Sequence, residues 1–552
     1  MKTKMLHVFS VLLCICLTFG VAGCSPKEPV QAESASKQSS ETQKPDVNSS
    51  EPNSTASDDP VSSSVSDSDT DPSETEDDPS GEDDEKPMLK KKYTVTGKPR
   101  VYVTTADSDV KFRRQAESAV KVYDAKKLNR KAGHIMDIDP NTKYQVIDGF
   151  GASLTDTSSY NISRMPASLR NDLMTKLFDP NKGIGLSFLR QPIGTSDFNV
   201  EMYTYDDMPE GQEDWELKNF SIERDKKYII PLIKQAMSLN KDMKVVAACW
   251  TPPLWMKTAN EWDSLNGVML RSECYEVFSN YLVKYLKAYQ AEGIPIYSLS
   301  AQNEPGYLAI PSTYYDGDMM ARLINYNLAP ALEDAGLNTK LWTWDFNLYE
   351  DSMLDFAGKV YDKIDGVAVH FYAGQTSAIN KFKEVYPDAK VYLTEAAGMI
   401  SPQRSQLFRQ MKYMTETLRA GVSSYILWNI TLDQERGPVE HKITENTIGL
   451  GLTEYNTETG KLTYNMDFYA LAHLSKFIQP GAHVIESNDL SASSDGALYN
   501  IAALNKNGTV TVILANRSGE PETVKMVIGD KVIEYAVPGN SAVTVTFDAN
   551  TY

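Results

Sequence analysis

Two glutamates each stand at the end of a short apolar run. Glu304 closes Ile296-Tyr-Ser-Leu-Ser-Ala-Gln-Asn-Glu304 ahead of Pro305, and Glu395 closes Val391-Tyr-Leu-Thr-Glu395. Runs of this length, rich in β-branched and aromatic residues, read as buried parallel strands, so both carboxylates should emerge where strands hand over to loops. A carboxylate in such a place costs desolvation energy unless it is used. A pair of them is what glycoside hydrolysis requires. In the retaining form one carboxyl protonates the leaving oxygen and later activates water, while the other attacks the anomeric carbon from about 5 to 5.5 Å away. A lone glutamate at a strand end is more often a loop residue or a cap, and here the neighbours favour chemistry. Pro305 is expected to hold Glu304 in extended backbone, and Asn303 offers both a donor and an acceptor to a sugar hydroxyl beside the reacting carbon.

Something must position the pair. Eight apolar runs recur along the chain, at 146–152, 185–193, 244–250, 296–304, 340–346, 366–372, 390–397 and 423–430. Helix-like text lies between them, as where Tyr275, Phe278, Tyr281, Leu282 and Tyr285 fall on one stripe. Eight strands alternating with helices give the arithmetic of an α/β fold of the (β/α)8 TIM-barrel type, whose catalytic face is the C-terminal end of its strands; a doubly wound open sheet is the alternative. The flanks alternate with period two, in Tyr93-Thr-Val-Thr, Arg100-Val-Tyr-Val-Thr, His483-Val-Ile-Glu, Leu498-Tyr-Asn-Ile-Ala-Ala-Leu, Thr509-Val-Thr-Val-Ile-Leu and Ala542-Val-Thr-Val-Thr-Phe. They predict a β-sandwich assembled from both ends of the chain. The expected order is therefore sandwich strands at 93–143, barrel at 144–465 and the rest of the sandwich at 466–552.

The first residues carry Lys2 and Lys4, an apolar stretch and then Val21-Ala-Gly-Cys24. This has the form of a cleaved leader over residues 1–24, too short for a comfortable membrane span. Val-Ala-Gly-Cys resembles the bacterial lipoprotein box, which implies lipid on Cys24 and an extracytoplasmic, membrane-anchored protein; an ordinary secretion signal is the alternative. Residues 25–92 hold 18 acidic and 7 basic side chains, a net of −11 out of −19 for the whole chain, with almost no large apolar residue. Such a segment buries no core and is expected to be a disordered, self-repelling tether. The acidic balance argues against nucleic acid as a partner. Cys249 and Cys274 are the two cysteines of the folded part, and their pairing stays open. Neither zinc spacing nor a Gly-rich phosphate loop is present, so neither metal nor cofactor is expected.

Taken in order, Gln145-Val-Ile-Asp-Gly-Phe-Gly-Ala-Ser-Leu-Thr-Asp156, Phe188-Leu-Arg-Gln-Pro-Ile-Gly-Thr-Ser-Asp-Phe198, Trp250-Thr-Pro-Pro-Leu-Trp-Met-Lys-Thr258, Ala301-Gln-Asn-Glu-Pro305, His370-Phe-Tyr372, Leu393-Thr-Glu-Ala396 and Trp428-Asn429 resemble glycoside hydrolase family 30. The likeness runs from about residue 144 onward and is strongest to the glucosylceramidase and endo-β-1,6-glucanase branches. It implies a retaining, metal-independent hydrolase of β-linked carbohydrate. By the same resemblance Glu304 is the acid/base and Glu395 the nucleophile, and Asn303 holds the 2-hydroxyl of the reacting sugar. Arg190 and Tyr372 orient the nucleophile and keep it ionised. Asp156 and Trp250 reach outer hydroxyls, Trp428 forms a stacking wall, and His370 lies near the nucleophile or serves the structure. Trp255 and Trp344 divide evenly between core and cleft. After Asn429 the chain departs from the glucosylceramidase pattern, with Leu432-Asp-Gln-Glu-Arg-Gly-Pro438 and then Glu440-His-Lys, and substrate choice is open there. A xylan-active or transglycosylating member, and a sugar-binding lipoprotein without catalysis, are the competing functions.

Overall fold

The computed structural model describes residues 91–308, 311–440 and 449–551. The leader, Cys24 and nearly all of the predicted tether lie outside the described residues, as do 441–448 within the divergent segment.

The eight predicted runs form a closed barrel. Gly149–Ser153, Phe188–Ile193, Lys244–Cys249, Ile296–Ser300, Lys340–Leu348, Gly366–Gly374, Val391–Glu395 and Val422–Leu427 pair in parallel in that order, and the eighth strand returns to the first. The first strand starts later than expected, because Val146 belongs to a sandwich strand and pairs with His483.

Two tiers of side chains fill the barrel. The lower is apolar: Phe188, Val246, Trp342, Ala368, Tyr392 and Ile426. With a side-chain period of two, the next inward residue on the second, sixth and seventh strands is Arg190, His370 and Thr394. The fifth strand breaks the period. Its partners shift between Ala368, opposite Trp344, and Val369, opposite Phe346, so Asp345 is an extra, bulged residue. Trp344 and Asp345 sit at φ 75° and 44°. The bulge turns Trp344 outward onto Phe346 and Phe356, with ring centroids 5.5 and 5.1 Å away, and leaves the inward place to Asp345. Trp344 is therefore core. Trp255 is half-buried and donates its indole N–H to Asp206 at 3.1 Å.

The sandwich is discontinuous, as its flanking patterns require. Tyr93–Thr105 pairs with Ser541–Thr551, and His134–Val146 lies between His483–Ser487 and Glu522–Ile528. The two N-terminal runs read separately in the sequence are one strand, with its register shifted between Thr96 and Arg100. Thr509–Asn516 shows how the two domains share a wall. Val510, Val512 and Leu514 enter the sandwich core with Met526 and Ile533, whereas Ile513 and Ala515 join the core of the barrel and its helices. Cys249 and Cys274 are buried and unpaired.

The helix Met466–Ser475 packs on Gln403–Ala420 and pins the two domains together. Its His473 is buried between Thr104 and Thr544, with ring nitrogens 2.9 and 2.8 Å from their hydroxyls. Burial without a charged partner pushes its pKa down to about 3. The unfolded chain takes up a proton near pH 6.5 that the native state refuses, so this site destabilises the protein as pH falls from about 6.5 toward 3, by about 1.4 kcal/mol per pH unit. His473→Gln should therefore lose less stability than the native chain over that window in thermal melts. Parallel decline of the two would show that His473 does not set the acid limb.

Candidate active site

The upper tier of the barrel is a chain of charges. Arg190, only 1% exposed, donates one guanidinium nitrogen to Glu395 and the other to Asn303 Oδ1 at 2.7 Å and to Asp345 Oδ2 at 3.0 Å. Its hold on Asn303 fixes the amide so that the NH2 end is what remains to meet a ligand. Tyr372, a 42% exposed residue, donates its hydroxyl to Glu395 Oε1 at 2.9 Å. Glu395 is thus gripped by a cation and a phenol at the end of the seventh strand.

Glu304 is arranged differently. Its φ is 46°, left-handed, contrary to the extended backbone expected ahead of Pro305. The turn is held by its own N–H donating to Asp345 C=O at 3.0 Å and by its C=O accepting from Tyr307 N–H at 2.8 Å. Backbone held in this sparsely populated region aims a side chain where an ordinary strand end would not. His370 lies beside the acid/base rather than the nucleophile: Nδ1 is 2.8 Å from Glu304 Oε1 and Nε2 is 3.1 Å from Asp345 Oδ1. Both ring nitrogens face carboxylates. Against the opposing effect of burial, Glu395, Asp345 and Glu304 raise the histidine to about 9, so it is an imidazolium donating on both sides.

These contacts push Glu304 and Asp345 in opposite directions. Burial, and then the charge of Glu395, push Glu304 above the usual range although His370 pulls the other way. Asp345 goes the opposite way: burial alone would raise it, but Arg190, His370 and the Thr394 hydroxyl at 2.6 Å hold it well below the usual carboxylate range. One oxygen from each glutamate and a ring nitrogen of His370 lie within 4.8 Å of one another. Those three residues have the types of a metal site, but an imidazolium with both nitrogens engaged has no lone pair to offer a cation.

Beside the pair, Trp250 and Trp428 stack with centroids 5.3 Å apart, and the Arg190 guanidinium lies 4.9 and 5.5 Å from their rings. The buried Trp250 indole N–H has no protein acceptor among the described residues, which suits a group that meets a sugar hydroxyl, while the Trp428 indole lies beside Asp197.

Asp156 is placed otherwise than expected. Its carboxylate accepts from Arg224 at 2.7 and 3.0 Å, from Tyr228 hydroxyl at 2.8 Å and from Val200 N–H at 2.8 Å, which fills its acceptor positions with protein donors. It anchors the long loop after the second strand. The acid that this loop presents to the site is Asp197: burial, then Glu395 and Glu304, raise it well above its ordinary value, and Trp428 opposes them. Asp197 and Asp345 were both missed in the sequence. The available signal for Asp345 was an acid inside an otherwise apolar and aromatic strand. For Asp197 it is an acid at the end of the Phe188–Phe198 motif, just after the second strand.

The glycosyl hydrolase family 30 TIM-barrel domain matches residues 147–478, and the beta sandwich domain of the same family matches 481–545. The chain is 30% identical over 412 residues to an endo-1,6-β-D-glucanase of Aspergillus fumigatus, covering 70% of this chain and 82% of that one. It is 29% identical over 441 residues to the mouse lysosomal acid glucosylceramidase, covering 74% and 82%. A solved endo-β1,6-glucanase superimposes with a TM-score of 0.72 at 28% identity, over 82% of this chain and all of that one.

The two aspartates should separate in the test tube. Asp197→Ala should lower kcat/KM on a β-glucoside at least tenfold with little change in melting temperature. Asp156→Ala leaves the half-buried Arg224 with the exposed Glu201 as its remaining carboxylate partner and should cost about 3 kcal/mol of stability, measured by denaturant melts. The reverse pattern would return Asp156 to the sugar.

Proposed function

The chain belongs to glycosyl hydrolase family 30, and from that premise we propose that it cleaves β-1,6-linked glucan by double displacement, with Glu304 as acid/base and Glu395 as nucleophile. It is an O-glycosyl hydrolase. The observation that carries the mechanism is the approach of the two carboxylates: oxygens within 4.8 Å leave no room for a water between nucleophile and sugar, and suit the retaining spacing of about 5 to 5.5 Å. Three of the relatives similar to this chain are endo-1,6-β-glucanases, which supports the linkage; glucosylceramide-like β-glucosides are the second reading, supported by the glucosylceramidases among the relatives.

In the first step Glu304, protonated on the oxygen not facing His370, passes its proton to the glycosidic oxygen as Glu395 attacks the anomeric carbon. The C–O bond to the leaving group breaks and a glycosyl ester forms. Glu304 is then an anion beside the imidazolium of His370, which stabilises it as the base that takes a proton from water in the second step. Trp250, Trp428 and Asp197 hold the sugar between the two steps.

Azide distinguishes the roles. Glu304→Ala should still form the ester from a dinitrophenyl glycoside and release it to azide as the β-glycosyl azide. Glu395→Ala should give the α-anomer, because azide enters from the vacated face. Identical anomers, identified by NMR, would leave the assignment without support.

The location proposed is the outer face of a bacterial membrane, with lipid on Cys24 and the acidic segment as spacer. This rests on the leader pattern alone. Cys24→Ser should move the protein from the membrane to the soluble fraction of its host; unchanged fractionation and processing would contradict the anchor.

A further inference from the structure

The loop that follows the nucleophile is held residue by residue. Ala396 C=O accepts from Trp428 N–H at 2.7 Å, Ala397 C=O from Arg409 Nη2 at 2.8 Å and Gly398 C=O from Leu450 N–H at 2.8 Å. Ala397 also packs with Trp250 and Trp428, so this loop ties the end of the seventh strand to one wall of the sugar site. Beneath it lies an acid that the mechanism does not use. Asp467, in the first turn of the helix Met466–Ser475, is only 1% exposed. Its carboxyl fills the place that a side chain at residue 398 would take: a Cβ on Gly398 would stand 2.5 Å from Asp467 Oδ2 and 2.8 Å from its Cγ, closer than such atoms approach. Glycine lets the backbone rest directly on the carboxyl.

A buried carboxyl is costly unless it is paired. The helix Gln403–Ala420, which packs on the helix of Asp467, brings Arg409 and Gln410 to it. Gln410 Oε1 is fixed by the Tyr425 hydroxyl at 3.0 Å. Neither Asp467 oxygen, nor Arg409 Nε, nor the Gln410 amide nitrogen makes a hydrogen bond of ordinary geometry among the described residues. Burial pushes the carboxyl up to about 6, against the pull of Arg409 and then of Gln410. The acid is thus loosely paired at the point where the nucleophile's loop rests on it.

On the assignment of Glu395 as nucleophile made above, we infer that Asp467 and Arg409 are positioning residues for its attack. Asp467 supports Gly398 from below, Arg409 draws in Ala397 by its carbonyl, and the two together set how the end of the seventh strand presents Glu395 to the anomeric carbon. Both act through the loop, and a small misplacement of the attacking oxygen is enough to slow the first step.

The test follows attack alone. With 2-deoxy-2-fluoro-β-glucosyl fluoride no proton is needed: Glu395 forms its ester as the carbon–fluorine bond breaks, fluoride leaves with the electron pair, and the fluorine at C2 slows breakdown of the ester. Mass spectrometry gives both the rate constant of labelling and the fraction of chains labelled. Misfolding lowers the fraction, whereas a misplaced nucleophile lowers the rate constant. Asp467→Ala and Arg409→Met should each lower the rate constant about tenfold with the labelled fraction kept, and Asp467→Asn, which keeps the shape, should recover most of the loss. Gly398→Ala should slow labelling as well. Because its methyl and the carboxyl compete for one place, Gly398→Ala combined with Asp467→Ala should be no slower than the worse single variant. Native rate constants in Asp467→Ala and Arg409→Met, or effects that multiply in the double variant, overturn the inference while Glu395 keeps its role. A native enzyme left unlabelled, or labelled on another residue, overturns the nucleophile assignment and the inference with it.

Discussion

The site depends on a buried carboxylate that is neither acid nor nucleophile. Asp345 binds Arg190 on one oxygen and His370 and Thr394 on the other. Arg190 then reaches Glu395, and His370 reaches Glu304. Two basic groups and two acidic ones, Asp345 with Glu395, thus pair at the centre of the barrel, and Glu304 stands outside those pairs with its carboxyl pushed upward. Isolated charges this deep would be prohibitively costly, whereas a closed network in which each charge is paired and hydrogen-bonded is tolerable. Removing Asp345 would release both arms together.

The same network explains why two chemically identical side chains take different parts. Glu395 receives Arg190 and Tyr372, donors suited to an anion that must attack. Glu304 is pushed upward by burial and by its neighbour's charge, and has one imidazolium to temper the shift. An acid that must give its proton away and then take another back needs such an intermediate environment.

Positioning extends outward from there. The long loop carrying Asp197 is held at its root by Asp156, through Arg224 and Tyr228, and farther on by Asp225, which accepts from Tyr203, Tyr205 and Tyr289 at 3.1, 2.6 and 2.5 Å. Buried carboxylates engaged by protein donors thus keep in place the loop that carries Asp197. The sandwich contributes at the opposite end, where a wall shared with the barrel and the helix bearing His473 join the two domains.

By itself the sequence determined the barrel, the two-ended sandwich and the two glutamates, since these stem from local period, run length and the cost of an acid at an apolar strand end. It also determined that Arg190, Asn303, Tyr372, Trp250 and Trp428 belong near them, through motifs whose order could be compared. Tertiary structure alone decided the rest. The bulge that swings Trp344 out and Asp345 in changes the face of a side chain without changing the strand's composition, so period two points the wrong way there. Glu304 takes a left-handed backbone because hydrogen bonds to the neighbouring strand and to Tyr307 hold it there, which no preference of the residue before proline reveals. The choice between Asp156 and Asp197 turns on which carboxylate finds Arg224, a partner 68 residues away in the first case, and a pairing over that distance is set by how the chain packs rather than by what stands beside it.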